Sequence, residues 1–219
     1  MNTLTKLALG LMGQVRPRPP IGEAAARWAL PAPDSDGGLP LMQALQRRQS
    51  LREFAPDELT EQQLSNLLWA AGGVNRPGLG GRTTPSAMNA QELRVYAALP
   101  RGLFLYAPQS HDLQLVVASD VRAVTGYQDF VDTAALDLVY VADHARMRLV
   151  PAARREAYAF AAAGAAMQNV YLYCASSQLA TVVRAWFDPR ALAEAMNLGT
   201  DEQLLLTQTV GLPKAGAPA

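Results

Sequence analysis

From Glu156 to Ser177 alanine dominates the longest weakly polar run of the chain, and that run limits the folds available to it. Alanine loses no side-chain freedom in a helix, so Ala153 to about Ser177 reads as one long helix. Gln168 and Asn169 stand in its middle. A bilayer interior leaves such amides without partners, so the expectation is a buried helix of a soluble protein and no membrane span. The small side chains, with Gly164, let another helix approach closely. The chain has 219 residues and is 50% hydrophobic, which suffices to bury the helix in a core of one or two domains. Nineteen basic residues balance nineteen acidic ones, so no global field draws nucleic acid or an anionic membrane. The single cysteine, Cys174, excludes an intrachain disulfide framework and fits a reducing compartment.

Residues 1–39 show no sustained period and read as an arm or linker, disordered or loosely docked, with Pro17, Pro19, Pro20, Pro31 and Pro33 along it. Leu7 to Met12 is too short an apolar run for a good signal peptide, so the expected location is cytoplasmic, with export, for which Ala24-Ala25-Ala26 lies downstream, as the alternative. A first helix is predicted from Pro40 to about Arg48, with Leu41, Leu45 and Arg48 on one face. Thr60 and Gln63 form a capping box for a second helix over 61–71, striped by Leu64, Leu67, Leu68 and Ala71 and ended by Gly72 and Gly73. A loop follows over 75–89, and strands are expected at 93–99, 102–106, 113–118 and 136–142. After the long helix come a short one over 189–197, capped by Asp188, and a last strand over 203–210. Helices, then strands, then a long helix and a strand argue for an α+β fold or a mixed sheet.

Familiar chemistry is hard to find. The glycines of 72–81 lack the Gly-Lys-Ser/Thr ending of a phosphate loop, and no dinucleotide fingerprint follows a strand. His111 and His144 sit in no cluster with metal-ligand spacing and read as surface or strand-end residues. Cys174 reads as a small buried hydrophobe. Asp129 and Asp132 read as a solvated loop edge.

Three separated segments remain: Arg48-x-Ser50-x-Arg52-x-Phe54, Pro85-Ser86-Ala87-Met88-Asn89-Ala90-Gln91, and Gly211-Leu212-Pro213-Lys214. Together they offer cations, a hydroxyl and amides, which suit a phosphate at one end and a polar ring edge at the other. In this order, with the alanine-rich helix between, the chain resembles the nitroreductase-like FMN-dependent oxidoreductases over about 40–214, and within them the SagB/ThcOx-type dehydrogenase branch. That resemblance implies a nitroreductase-like α+β fold over 40–219, with a mixed, mostly antiparallel central sheet flanked by helices and two intertwined subunits in a homodimer. It implies FMN as cofactor, NAD(P)H as co-substrate, and a nitroaromatic, quinone or similar electron-poor acceptor. No side chain is implied as a general acid or base.

Position by position, the resemblance implies that Arg48, Gln49 and Ser50 hold the FMN phosphate and ribityl chain, and that Arg52 approaches the pyrimidine edge and tunes its potential. Pro85, Ser86 and Asn89 reach the partner's flavin, Gln128 touches the ribityl chain or ring, and Lys214 neutralises the phosphate. A backbone N–H of the segment around Arg184 and Ala185 faces flavin N5. The sequence departs from the branch at Gln178-Leu179-Ala180-Thr181, where Gly-Leu-Gly-Thr is usual, and at Ala90 and Glu92, where an aromatic residue is usual. Other readings are a flavin carrier without turnover, an azoline-oxidising partner subunit, or an interaction module that has lost its cofactor.

Overall fold

The computed structural model describes residues 26–216. The N-terminal apolar run, the prolines at 17, 19 and 20 and most of the proposed arm lie outside them. Strand β1 (Arg27–Ala29) is followed by helices α1 (Leu41–Arg47) and α2 (Glu61–Gly72), a small hairpin of β2 (Val74–Arg76) and β3 (Gly81–Arg82), and strands β4 (Leu93–Leu99), β5 (Gly102–Ala107), β6 (Asp112–Val117) and β7 (Leu136–Asp143). Then come the long helix α3 (Ala152–Ser176), β8 (Ala180–Arg184), α4 (Pro189–Ala195) and β9 (Glu202–Gly211).

Seven strands make one sheet in the order β1-β6-β5-β4-β7-β9-β8, antiparallel at every pairing. The fold is α+β, as the element order predicts. Alternation along the central strands sends side chains to two cores. Val95, Ala97, Leu138 and Tyr140 join Leu64, Leu67 and Leu68 of α2 and Ala163, Ala166 and Val170 of α3 on one face. Tyr96, Ala98, Val139 and Val141 join Leu192 and Met196 at α4 on the other. Both faces of β4 and β7 therefore feed apolar cores, although Arg94, Asp137 and Asp143 alternate with the apolar residues of the second.

Helix α2 starts on the predicted capping box: Thr60 Oγ1 accepts from the Gln63 N–H, and the Gln63 side chain accepts from the Thr60 N–H. Its apolar stripe is buried throughout. In α3, Ala159, Ala162, Ala163 and Ala166 present small side chains at helical spacing and allow close packing. Asn169, the amide that argued against a membrane, donates to the carbonyls of Ala70 (3.1 Å) and Thr83 (3.3 Å), tying α3 to the end of α2 and the hairpin. Among the described residues no helix is long and apolar enough to cross a membrane, and no group of three His, Cys, Asp or Glu could hold a metal.

Three features escaped the sequence reading. Strand β1 lies inside the segment read as an arm or linker and pairs with β6. Strand β8 lies inside a segment singled out only by resemblance. His111 stands at a strand end, as expected, just before β6, but its ring also meets the Tyr106 hydroxyl (2.8 Å), Ser65 Oγ (2.7 Å) and the Pro31 carbonyl (3.0 Å), contacts the sequence did not reveal. Burial lowers its pKa, against the Pro31 carbonyl and Asp112, which raise it.

Candidate cofactor cleft at the edge of strand β8

Helix α3 ends in a turn that positions the site. Gln178 follows the cap residue Ser177 with φ 57°, and the Leu179 N–H donates back to the Cys174 carbonyl at 2.9 Å. This is the six-to-one bond of a Schellman ending, whose left-handed residue is usually glycine. The branch's glycine at this place thus has a conformational reason, and Gln178 adopts the same geometry with strain.

The turn delivers β8 to the edge of the sheet. Its outer side is fastened by the first motif. The Leu51 N–H donates to the Thr181 carbonyl (3.0 Å). The Val183 N–H donates to the Tyr171 hydroxyl (3.0 Å), which also shares a hydrogen bond with Ser50 Oγ (2.8 Å). Thr181 and Val183 thus turn their backbone groups away from β9. Ala185 is the first residue past β8, and its N–H has no partner among the described residues.

The first and third motifs are knitted together. The Ala55 N–H donates to the Leu212 carbonyl (2.9 Å), the Lys214 N–H donates to the Glu53 carbonyl (3.1 Å), and Phe54 and Pro213 form an antiparallel bridge. A Cβ on Gly211 would stand 3.2 Å from Phe54 Cδ1 and 3.3 Å from the Ala135 nitrogen, so glycine lets the phenyl ring lie against the strand end. Phe54 is therefore a packing residue of its motif.

Between these segments and the end of α3 lies a cleft of about 800 Å³, within the range of cofactor sites. Arg47, Arg48, Gln49, Tyr171, Thr181 and Lys214 are among the residues lining it, and among the described residues no aspartate or glutamate lines it. The Arg48 guanidinium lies 5.2 Å from the Tyr171 ring centroid, a cation–π contact that orients it. Three cations without an acid describe an anion-binding end. Cys174 also lines the cleft, but its thiol is buried and burial pushes its pKa far up, so it offers no thiolate.

Of the residues expected from sequence, Arg48, Gln49 and Lys214 meet in this cleft, and Ser50 reaches it through Tyr171. Arg52 is exposed, held between the anchor points at Leu51 and Glu53, and does not line the cleft. At the far end of β8 the Arg184 side chain turns inward. It donates to Asp137 (2.6 Å), to the Thr125 carbonyl (2.8 Å) and to Gln128 Oε1 (3.4 Å). Asp137, fully buried, also accepts from Thr209 (2.5 Å) and Thr125 (2.8 Å). Burial raises the Asp137 carboxyl and lowers the Arg184 guanidinium, each opposed by the other's charge. What this segment offers a ligand is therefore backbone, and the Gln128 amide oxygen is engaged by Arg184.

Pro85, Ser86 and Asn89 do not line the cleft of their own chain. They sit in a strained loop where Met88 (φ 54°), Asn89 (φ 51°) and Gln91 (φ 51°) all take left-handed backbone. Ser86 Oγ donates to the buried Glu92 (2.6 Å) and accepts the Gln91 N–H (2.7 Å), so its proton is spent inside the loop. Tyr171 was missed by sequence reasoning. Its only signal was a tyrosine in the polar-dotted second half of an alanine-rich helix.

The fold and the cationic cleft place the chain in a known class of proteins. Residues 45–212 match the Nitroreductase family. The chain belongs to the nitroreductase family. A candidate nitroreductase of Methanocaldococcus jannaschii is 29% identical over 181 residues, spanning 78% of this chain and 90% of that protein. The crystal structure of a candidate nitroreductase from Ralstonia eutropha is 50% identical, with a TM-score of 0.83 over 92% of this chain and 96% of that one. A Desulfovibrio desulfuricans candidate nitroreductase, solved in complex with FMN, shares the fold at 21% identity and a TM-score of 0.60, over 83% of this chain and 90% of that one.

Proposed function

We propose that the chain is an FMN-dependent oxidoreductase of the SagB/ThcOx-type branch, working as a homodimer. The observation that carries this reading is the cleft lined by Arg47, Arg48 and Lys214 with no acid among the described residues, beside the edge strand β8. The residues fit the cofactor. Arg48 and Lys214 would hold its phosphate, and Gln49 and Thr181 would meet the ribityl chain. From Thr181 to Ala185 the strand advances about 13 Å, commensurate with a ribityl phosphate plus the central ring, so the Ala185 N–H would stand at the N5 side.

When bound, FMN would supply two-electron chemistry, accepting hydride from NAD(P)H and serving a nitroaromatic, quinone or similar electron-poor acceptor in one shared pocket, as a ping-pong cycle requires. The protein's part is binding and orientation. Tyr171 fixes Arg48 by its ring, and Ser50 and the β8 edge by its hydroxyl. Arg52, exposed between the anchor points at Leu51 and Glu53, would bring its fixed positive charge to the ring edge only by reaching in from outside the cleft. The strained loop of 85–91 would complete the partner's site, with Asn89 as its polar contact and Ser86 as its internal strap. No general acid or base is assigned.

Heat denaturation of the purified protein tests the reading. A yellow protein that releases a phosphorylated flavin supports it, whereas a colourless protein that takes up no added FMN overturns it.

A further inference from the structure

Beyond the cofactor cleft, two aromatic side chains stand at the far end of β8 in an arrangement the flavin reading does not use. Trp186 is 70% exposed and Tyr127 is 59% exposed. Their ring centroids are 5.3 Å apart with planes tilted by 57°, and the Tyr127 N–H donates to the Trp186 carbonyl at 3.4 Å. Exposed aromatics of this size are usually mobile; these have a rigid mount. Arg184 fastens the turn beneath Tyr127 through the Thr125 carbonyl and Gln128, and is itself locked by buried Asp137. A Cβ on Gly126 would lie 1.9 Å from Arg184 Nη1, so only glycine lets the guanidinium pass under the turn. The buried ion pair therefore holds an apolar surface in place rather than a ligand.

We infer that Tyr127 and Trp186 form the platform on which the acceptor's ring stacks. The neighbour in sequence is Ala185, just past the end of the edge strand, whose N–H has no partner among the described residues. A planar molecule seated on the aromatic pair lies next to that donor. Indole and phenol faces carry negative quadrupoles and favour electron-poor rings in offset contact. The platform therefore favours planar, electron-poor acceptors of quinone type. This deepens the proposed function and rests on it only for the identity of the flavin beside the platform.

The test is equilibrium binding, not turnover. The oxidised protein as purified is titrated with 1,4-naphthoquinone and followed by calorimetry and by indole emission, using the natural chain, Trp186→Leu, Trp186→Phe and Tyr127→Leu. Circular dichroism confirms that each variant folds. The expected result is quenching of emission in the natural chain, a Kd about tenfold weaker for Trp186→Leu, a smaller loss for Tyr127→Leu, and a Kd within about twofold for Trp186→Phe. An unchanged Kd for Trp186→Leu overturns the inference, as does Trp186→Phe behaving like Trp186→Leu. The two readings fail separately: a flavin-free protein that still binds the quinone through Trp186 keeps the platform and loses the cofactor. A yellow protein whose quinone affinity ignores Trp186 does the reverse.

Discussion

Replacing Tyr171 by phenylalanine removes one oxygen and nothing else, which isolates the fastening of β8. The hydroxyl serves the Val183 N–H at 3.0 Å and Ser50 Oγ at 2.8 Å. The ring stays, so the contact with Arg48 survives. Each hydrogen bond contributes about 0.5–1.5 kcal/mol net, and a donor left dry costs more. Both bonds are part-buried, so water replaces some of what is lost and the expected destabilisation is about 1.5–2.5 kcal/mol. For a chain of this size that lowers Tm by about 3–10 °C, read by calorimetry at pH 7.5. Ser50→Ala should cost less alone, and the double variant should cost less than the sum, because both changes break one shared bond. A loss below about 0.5 kcal/mol, or additive losses, would show that the edge is held by something other than Tyr171.

Three more outcomes follow from the same geometry. Arg184→Leu leaves Asp137 buried without its cation and should cost about 3–5 kcal/mol in urea unfolding, with part regained in Arg184→Leu/Asp137→Leu; a loss under about 1 kcal/mol would contradict the buried pairing. Gln178→Gly relieves the left-handed residue and should stabilise by up to about 1 kcal/mol, whereas destabilisation would show that the side chain holds the turn. His111 has its folded pKa below the ordinary 6.5 because burial disfavours the charged ring. The unfolded chain then takes the proton first, so the contribution is full above about pH 6.5 and is lost as pH falls below it, at no more than about 1.4 kcal/mol per unit. The urea midpoint should fall between pH 7.5 and 5.5, and His111→Gln should flatten that slope; equal slopes in both proteins would clear His111.

Legibility varied by the range of the forces involved. Helix α2 was readable because its cap, stripe and stop are all local: Thr60, the leucines and Gly73 lie within one window. Strands β4 and β7 were readable because each is a short run rich in valine, tyrosine and leucine, although both of their faces proved to be covered. Strand β1 was not, because Arg27–Ala29 has no pattern of its own and owes its shape to pairing with β6. The hairpin of β2 and β3 was read as loop for a similar reason: Asn169, far along the chain, holds it in place. At the site, Arg48 and Lys214 were legible as cations in an unusual setting. Tyr171 was not, since its role exists only after α3 turns back onto the first motif. Arg184 carried a double message. The resemblance offered its segment to a ligand through the backbone alone, and its side chain is claimed by the buried Asp137, 47 residues away.

The account stands on the claim that the cations of the cleft grip the phosphate of a flavin mononucleotide. Titrating flavin-free protein with FMN and with riboflavin, which lacks only the phosphate, tests it directly. FMN should bind at least about tenfold more tightly, and Lys214→Ala should erase most of that difference. Equal affinity for the two, or a preference untouched by Lys214→Ala, would contradict it.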